Sequence, residues 1–545
     1  MLRLRELKLV YRFAGKTYSL SAAYPVSDQR VALSVVREGG LFSMSLSCNV
    51  PVVLVSLSAE FDYGFRNGCR VFMNGYQSWT ESREKPIGGR MHGIGHIPRR
   101  TAESFSLPAY GDYSFAAYSG KRGVMHGFSY GYVRNGAVYD LFGSLDEDSG
   151  FTLIRTDSVH SRISFSKDCR GLRVRDNYEG LRIIMLSGRE EEVFDGYFHE
   201  LGIAPPTAKP IFGYTSWYRH YYDISEGKLL RDLKGLISLP FKADVFQIDD
   251  GYETAVGDWL SFDRKKFPHG MAEMAKSIAE KGLIPGLWLA PFCCGRESRI
   301  FKEHPDWVVK DEKGEPLRAA FSWGGGYALD IYNEGVRGYL REVFDTVINK
   351  WGYRLLKLDF LYVCCVKPRP DKTRGQMMAE GMELLREYTK GAQILGCGVP
   401  LASAFGRVDY CRIGCDVTPE WKGKAYGFLM HRERPSAKNS LLCSVFRRQL
   451  NGRAFINDPD VFYLRDDRVK LTSEQKRALA EINALTGGVL FTSDDAGLYT
   501  EKQLRQLRSI LSLRGTRVVS AELSGRVLRL VLERDGEVTE REYSL

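Results

Sequence analysis

Three apolar runs in this 545-residue chain stop in acid. They are Val245-Phe-Gln-Ile-Asp-Asp250, Leu355-Leu-Lys-Leu-Asp359, and Cys411-Arg-Ile-Gly-Cys415 leading into Asp416. A carboxylate at the end of a buried strand is costly unless something beyond the sheet uses it. Three such endings point to one site at the mouth of one sheet. Two carboxylates held across a glycosidic bond can divide the work of its hydrolysis: one attacks, and the other gives its proton to the leaving oxygen. Lys357 stands two residues before Asp359, on the same strand face, where its charge favours an ionised, nucleophilic Asp359. Asp416 falls past the strand end, in a Gly-Cys-Asp loop, and can approach from the other side. A rival chemistry is a Schiff base on Lys357. That lysine would need an apolar setting to lose its proton, and it sits among acids.

The elements that position these residues follow a rhythm that begins near residue 211. A helical apolar face ends at a glycine and a strand follows at once. Met271, Met274 and Ile278 precede Gly282 and the run from Leu283 to Leu289; Val336, Leu340, Val343 and Val347 precede Gly352 and the run to Asp359. Gly391, Gly452 and Gly487-Gly488 repeat the punctuation, as expected of left-handed residues just past a helix. Such units argue a parallel α/β layout. Strands are expected at Phe212–Thr215, Val245–Ile248, Ile284–Leu289, Leu355–Leu358, Gln393–Leu395, Tyr410–Ile413, Ala454–Ile456 and Val489–Thr492. That set fits a (β/α)8 barrel over 206–498, with 292–335 as an elaborated loop; a doubly wound open sheet is the competitor.

In a barrel the strand ends share one mouth. Read in order they are Ser216-Trp217, Asp249-Asp250, Trp288, Lys357 and Asp359, Cys397, Arg412 and Asp416, Asn457-Asp458, and Ser493-Asp494-Asp495. Acids that accept hydroxyl hydrogen bonds, beside a Trp face, suit a sugar. Each residue alone has a plain structural role: Asp249-Asp250 as a helix cap, Trp288 as core, Lys357 in an ion pair, Cys397 as a small buried hydrophobe, and Asp458 and Asp494-Asp495 in turns. Together they exceed what barrel stability needs.

Residues 1–205 read as an N-terminal β-sandwich, with alternating runs and Asn-Gly turns at 67, 74 and 135. Pro205-Pro206 and Pro210 mark the exit. Residues 499–545, a basic helix and strands around Asp535-Gly536, read as a small C-terminal antiparallel β-domain. A net charge of +10, from 77 basic and 67 acidic residues, is dispersed, with no nucleic-acid motif. No 18-residue apolar run argues for a membrane partner. The 11 cysteines lack zinc spacing, and the start lacks an apolar signal, so a cytoplasmic protein with reduced thiols and neither metal nor cofactor is expected.

Seven motifs in order carry a resemblance: Tyr214-Thr-Ser-Trp-Tyr218; Phe246-Gln-Ile-Asp-Asp-Gly-Tyr-Glu253 with Gly257-Asp-Trp259; Ile284-Pro-Gly-Leu-Trp-Leu-Ala-Pro-Phe292; Glu303-His-Pro-Asp-Trp-Val-Val309; Lys357-Leu-Asp-Phe360; Leu395-Gly-Cys-Gly398; and Arg412-Ile-Gly-Cys-Asp416. From Asn74 to about Asp495 the chain resembles the α-galactosidases (melibiases) of glycoside hydrolase family 36, in their compact bacterial and thermophile-type form. The resemblance implies a β-supersandwich, a (β/α)8 barrel and a small C-terminal β-domain. It implies retaining hydrolysis of terminal α-galactosyl residues of small oligosaccharides such as melibiose or raffinose, through a covalent galactosyl-enzyme. Asp359 stands at the nucleophile's position and Asp416 at the acid/base's; Asp249 and Asp250 stand where the 4- and 6-hydroxyls are gripped. Trp288, Lys357, Cys397 and Arg412 fall where the galactose pocket is lined, and Tyr76 where an aromatic of the N-terminal domain covers the site. Tyr76 replaces the Trp of many members, Phe360-Leu-Tyr-Val the Lys-x-Asp-x-Asn form of the larger ones, and Gly414-Cys415 a Ser-Asp pair. An α-N-acetylgalactosaminidase or a transglycosylase of the raffinose-synthase type would use the same carboxylates, and a non-catalytic sugar binder is a further alternative. The expected partner is a small-molecule α-galactoside; a homo-oligomer is compatible with this reading.

Overall fold

The computed structural model describes residues 3–423 and 432–545. Its centre is a parallel sheet of β1 (Ile211–Thr215), β2 (Val245–Ile248), β3 (Ile284–Leu289), β4 (Leu355–Leu358), β5 (Gln393–Gly396), β6 (Tyr410–Arg412), β7 in two pieces (Ile456–Asp458 and Val461–Phe462) and β8 (Val489–Thr492). Successive strands pair from β1 to β7, and β1 pairs with β8 on its other edge. The first piece of β7 pairs with β6 and the second with β8. The break lies at Pro459, which has no N–H, and Asp460, whose φ is 74°. The sheet therefore closes on itself through one broken strand, which makes it a barrel and not an open sheet. β7 begins at Ile456 and not at Ala454 as expected. Asn457-Asp458 ends the first piece, as the sequence reads, and Asp458 is both the ladder partner of Arg412 and an acceptor for its guanidinium.

β2, β4 and β8 are buried along their whole length, which is why they read as continuous apolar runs. The helix Glu334–Asp345 buries Val336, Leu340, Val343 and Phe344, and Asn333 caps its start. Of the punctuating glycines, Gly282, Gly352, Gly391 and Gly452 are left-handed. Gly487 is extended, with φ −117°. Its hydrogen makes room instead: a Cβ there would sit 2.5 Å from Pro459 Cδ, and one on Gly488 2.3 Å from Ile456 Cγ2. These glycines let β8 lie against the broken strand.

Before the barrel, two seven-stranded antiparallel sheets face each other. Leu7, Leu9, Phe42, Leu54, Phe61, Ile163 and Ile183 fill the space between them. The expected hairpin forms, but its two turn residues are Gly136 and Ala137 and not Asn135-Gly136: Asn135 pairs with Val138, and Gly136 takes the left-handed φ of 61°. After the barrel, the helix Glu501–Ser512 leads into three antiparallel strands, Arg517–Ser524, Val527–Arg534 and Glu537–Ser544. Among the described residues no helix is long and apolar enough to cross a membrane.

One arginine joins the sandwich to the barrel mouth. Arg447, after the helix Ala437–Phe446, is 0% exposed. It donates to Asn74 Oδ1 (2.9 Å), to the carbonyls of Gly75 (3.4 Å), Gln77 (3.1 Å) and Ser78 (2.7 Å), and to that of Ile413 (2.9 Å) just past β6. Each buried acceptor left without a donor costs about 1–3 kcal/mol. Arg447→Met should lower the thermal unfolding midpoint far more than Arg99→Met at a site whose side chain is 91% exposed. Equal midpoints would contradict this role for Arg447.

Candidate active site

The barrel mouth opens on a cavity of about 320 Å³ bordered by Asp249, Asp250, Trp288, Lys357, Asp359 and Asp416. Six of the nine residues expected at the site thus meet in one place. β2 ends at Ile248, so Asp249 and Asp250 leave the sheet at its mouth. Asp249 is 2% exposed; its Oδ2 accepts from Lys357 Nζ at 2.8 Å and from Gln247 Nε2 at 3.1 Å. Asp250 accepts from Trp323 Nε1 at 2.9 Å. Burial first, and then the neighbouring Glu253, push the Asp250 carboxyl well above its usual range. Asp359, past β4, accepts from Trp288 Nε1 at 3.1 Å and from the Phe360 N–H at 2.8 Å. Burial alone would lower the Lys357 pKa, but Asp249 and Asp359 outweigh it and raise the pKa above its ordinary value. Lys357 is therefore held charged, which disfavours a Schiff base.

Asp416 faces the cavity with 43% of its side chain open to it. Arg412, 3% exposed, reaches Asp416 Oδ1 with Nη1 at 3.1 Å, Asp458 Oδ2 with Nε at 3.1 Å, and Asp460 Oδ1 with Nη2 at 2.8 Å. One guanidinium thus serves three carboxylates, and the break in β7 is what brings Asp460 to it. Burial raises the Asp416 pKa; Arg412 and Lys357 oppose that, and Asp359 adds to it. Asp460 also accepts from the Val417 N–H at 2.8 Å and from the Tyr218 hydroxyl. Burial, against the pull of Arg412 and with the push of Asp416 and Asp458, carries its pKa to about 7.

Aromatic side chains from loops and short helices wall the cavity: Trp79, Tyr110, Trp217, Tyr222, Trp323 and Phe360. Tyr76 is not among them, which corrects its expected place over the site. Its ring packs edge-on against Phe115, Phe128 and Phe151, and its hydroxyl lies 3.4 Å from Cys365 Sγ. Trp79, three residues on, takes that place. Its Nε1 donates to Cys397 Sγ at 3.4 Å, and its ring meets Phe360 edge-on at 5.1 Å. Cys397 and Arg412 accordingly stand one layer behind the cavity wall, supporting Trp79 and Asp416. Asp494 belongs to structure: it accepts from the N–H groups of Leu464 (2.7 Å) and Arg465 (3.0 Å).

Sequence reasoning missed Trp79, Trp323 and Glu433, which border the cavity, and Asp460, which backs it through Arg412. Trp323 stands before Gly324-Gly325-Gly326, a run that signals an unusual backbone. Trp323 and Phe360 have φ of 59° and 54°, and their rings lie 4.7 Å apart. Two left-handed aromatic residues on one cavity cost about 1–3 kcal/mol each and mark a site the surrounding structure over-determines.

Asp460 gives a signed stability prediction. Its folded pKa of about 7 lies above the model-compound 3.8. Its contribution is then fully present below the unfolded value and lost as pH rises from there through about 7. The unfolding midpoint should fall more steeply between about pH 5 and pH 8 in the parent than in Asp460→Asn. An unchanged slope would contradict it.

Comparison with known proteins agrees with this geometry. The Melibiase family model matches residues 206–378. Alpha-galactosidase 1 of Pediococcus pentosaceus is 26% identical over 151 residues, 26% of this chain and 20% of that protein. The A type blood alpha-D-galactosamine galactosaminidase of Flavonifractor plautii is 31% identical over 123 residues, 21% of this chain and 11% of that protein. The matched stretch thus spans about a fifth or less of these curated relatives. The solved α-galactosidase of Thermus thermophilus, in complex with p-nitrophenyl α-D-galactopyranoside, is similar over 98% of both chains at 27% identity and a TM-score of 0.73. The family 36 α-galactosidase AgaA of Geobacillus stearothermophilus shares the fold, with a TM-score of 0.60 at 14% identity over 98% of this chain and 77% of its own. The motifs, the barrel with its acid-lined mouth and the likeness along the whole length agree in what they resemble: the melibiases, α-galactosidases of glycoside hydrolase family 36.

Proposed function

We propose that this protein is a retaining exo-α-galactosidase that removes terminal α-D-galactosyl residues from small oligosaccharides. The observation that carries the reading is the contrast between two carboxylates on one cavity. Asp359 accepts hydrogen bonds at both oxygens from fixed donors. Asp416 has a raised pKa and an open face. In the first step Asp359 attacks the anomeric carbon, the glycosidic C–O bond breaks, and Asp416 gives its proton to the leaving oxygen. Once Asp359 is an ester its charge is gone, and so is one of the influences that raise the Asp416 pKa. Asp416 then takes a proton from water, and that water attacks the anomeric carbon and releases galactose with its configuration retained.

Asp249, Asp250 and Lys357 form the polar floor and are read as the grip on the 4- and 6-hydroxyls; Trp288 orients Asp359. The substrate class is supported by the similar Thermus thermophilus enzyme, solved with p-nitrophenyl α-D-galactopyranoside and with stachyose. The eleven unpaired cysteines, ten of them buried, support a reducing, cytoplasmic setting.

A panel of p-nitrophenyl α-glycosides tests sugar identity: the α-galactoside should be cleaved and the α-glucoside not, and a preference for the α-N-acetylgalactosaminide would redirect the assignment. Asp359→Gly should lose turnover by orders of magnitude, and azide should restore it with β-galactosyl azide as product. Asp416→Ala should lose far less activity on the p-nitrophenyl galactoside, whose leaving group needs no proton, than on melibiose. An α-azide from Asp359→Gly, or equal losses on both substrates in Asp416→Ala, would overturn the roles.

A further inference from the structure

A second cavity, of about 260 Å³, lies behind one wall of the first. It is bordered by Glu81, Arg83, Lys85, Arg90, Arg432 and Arg434. Its lining carries five cations and one carboxylate, and that carboxylate is already engaged: Glu81 Oε1 accepts from Arg83 Nε at 3.0 Å and from Lys85 Nζ at 2.9 Å, while Arg432 also feels Asp112 and Glu433 behind the lining. Arg432 is 6% exposed and interacts with Tyr118, yet its Nη1 has no well-formed hydrogen bond; Arg434 donates through Nη2 to the carbonyls of Lys422 and Gly423, but its buried Nε has no acceptor. Charged donors left without acceptors at a buried site are costly. The excess is felt nearby, where burial and then the cations Lys422, Arg83 and Arg526 lower the Lys438 pKa.

The two sides of the cavity are tied together. The Glu81 N–H donates to the Arg432 carbonyl at 2.8 Å, and Arg432 Nη2 returns a bond to the Glu81 carbonyl at 3.1 Å. Residues then alternate along the strip. Arg432 and Arg434 face this cavity, while Glu433 and Pro435 border the catalytic one.

We propose that this cavity is a binding site for a phosphate-type oxyanion, which supplies the acceptors that the arginines lack and pins the strip forming one wall of the catalytic cavity. Guanidinium groups suit the tetrahedral oxyanion because they present paired donors. The same phosphoryl group can arrive as free phosphate or on a phosphorylated sugar, and the two need separate assays. The site does not depend on the catalytic reading.

The test is calorimetric titration of the intact protein with inorganic phosphate and with glucose 6-phosphate, at ionic strength matched with chloride, backed by thermal unfolding. Saturable one-site binding of either ligand and a rise in midpoint are expected. Arg90→Gln, at an exposed cavity-rim position, and Arg434→Gln should each weaken binding about tenfold, the scale of one charge-assisted hydrogen bond. Neither ligand binding beyond the chloride control would overturn the proposal. So would binding that both variants leave unchanged.

Discussion

The barrel mouth holds more negative charge than it can neutralise, and the rest of the site follows from that imbalance. Asp249, Asp250, Asp359, Asp458 and Asp460 are buried there, and Asp416 looks in from the side; Lys357 and Arg412 are the cations set among them. An unpaired buried carboxylate costs several kcal/mol, so such a group takes up a proton instead. Two pairings shape where that happens. Lys357 is committed to Asp249 at 2.8 Å. Arg412 is divided among three acids. Protons are retained where compensation runs out, and the pKa values of Asp250, Asp416 and Asp460 are all raised. For Asp416 the proposed chemistry needs that proton. For Asp460 it is a cost, borne for the hold on Arg412.

This arrangement depends on irregular backbone as much as on the regular sheet. A continuous seventh strand would not turn Asp460 toward Arg412; the break at Pro459-Asp460 does. The aromatic wall likewise comes from loops and short helices of separate origin. Trp79 arrives from the sandwich and is fixed by Arg447, which ties Asn74–Ser78 to the carbonyl past β6. Tyr110 accepts from the Phe321 N–H at 3.0 Å and so joins the sandwich side to the long loop that carries Trp323. The N-terminal sheets are in this sense part of the active site, because they deliver a wall that the barrel lacks.

The barrel and its acids were legible because strands buried on both faces are continuous apolar runs, and a carboxylate ending one stands out. Asp249, Asp250, Asp359 and Asp416 were found that way. The aromatic wall was not, because its position depends on contacts distant in sequence. Tyr76 and Trp79 lie in the same short segment, and nothing local says which one turns to the cavity; Cys397, Phe360 and Arg447 decide it. The start of the broken strand was misplaced by two residues for the same reason, since its ladder partner, Tyr410–Arg412, is 46 residues away. Gly487 was legible as a required glycine, but for the wrong cause.

The central claim is that Asp359 forms the covalent bond and Asp416 moves the proton. It is tested most directly by trapping the ester. An activated α-galactoside with fluorine on its ring should inactivate the protein, because electron withdrawal slows hydrolysis of the intermediate more than its formation. Intact-mass measurement should then show one fluorogalactosyl group per chain, and peptide mapping should place it on Asp359. A label on Asp416 or Asp249, or turnover that releases the inverted sugar with no covalent adduct, would contradict the account.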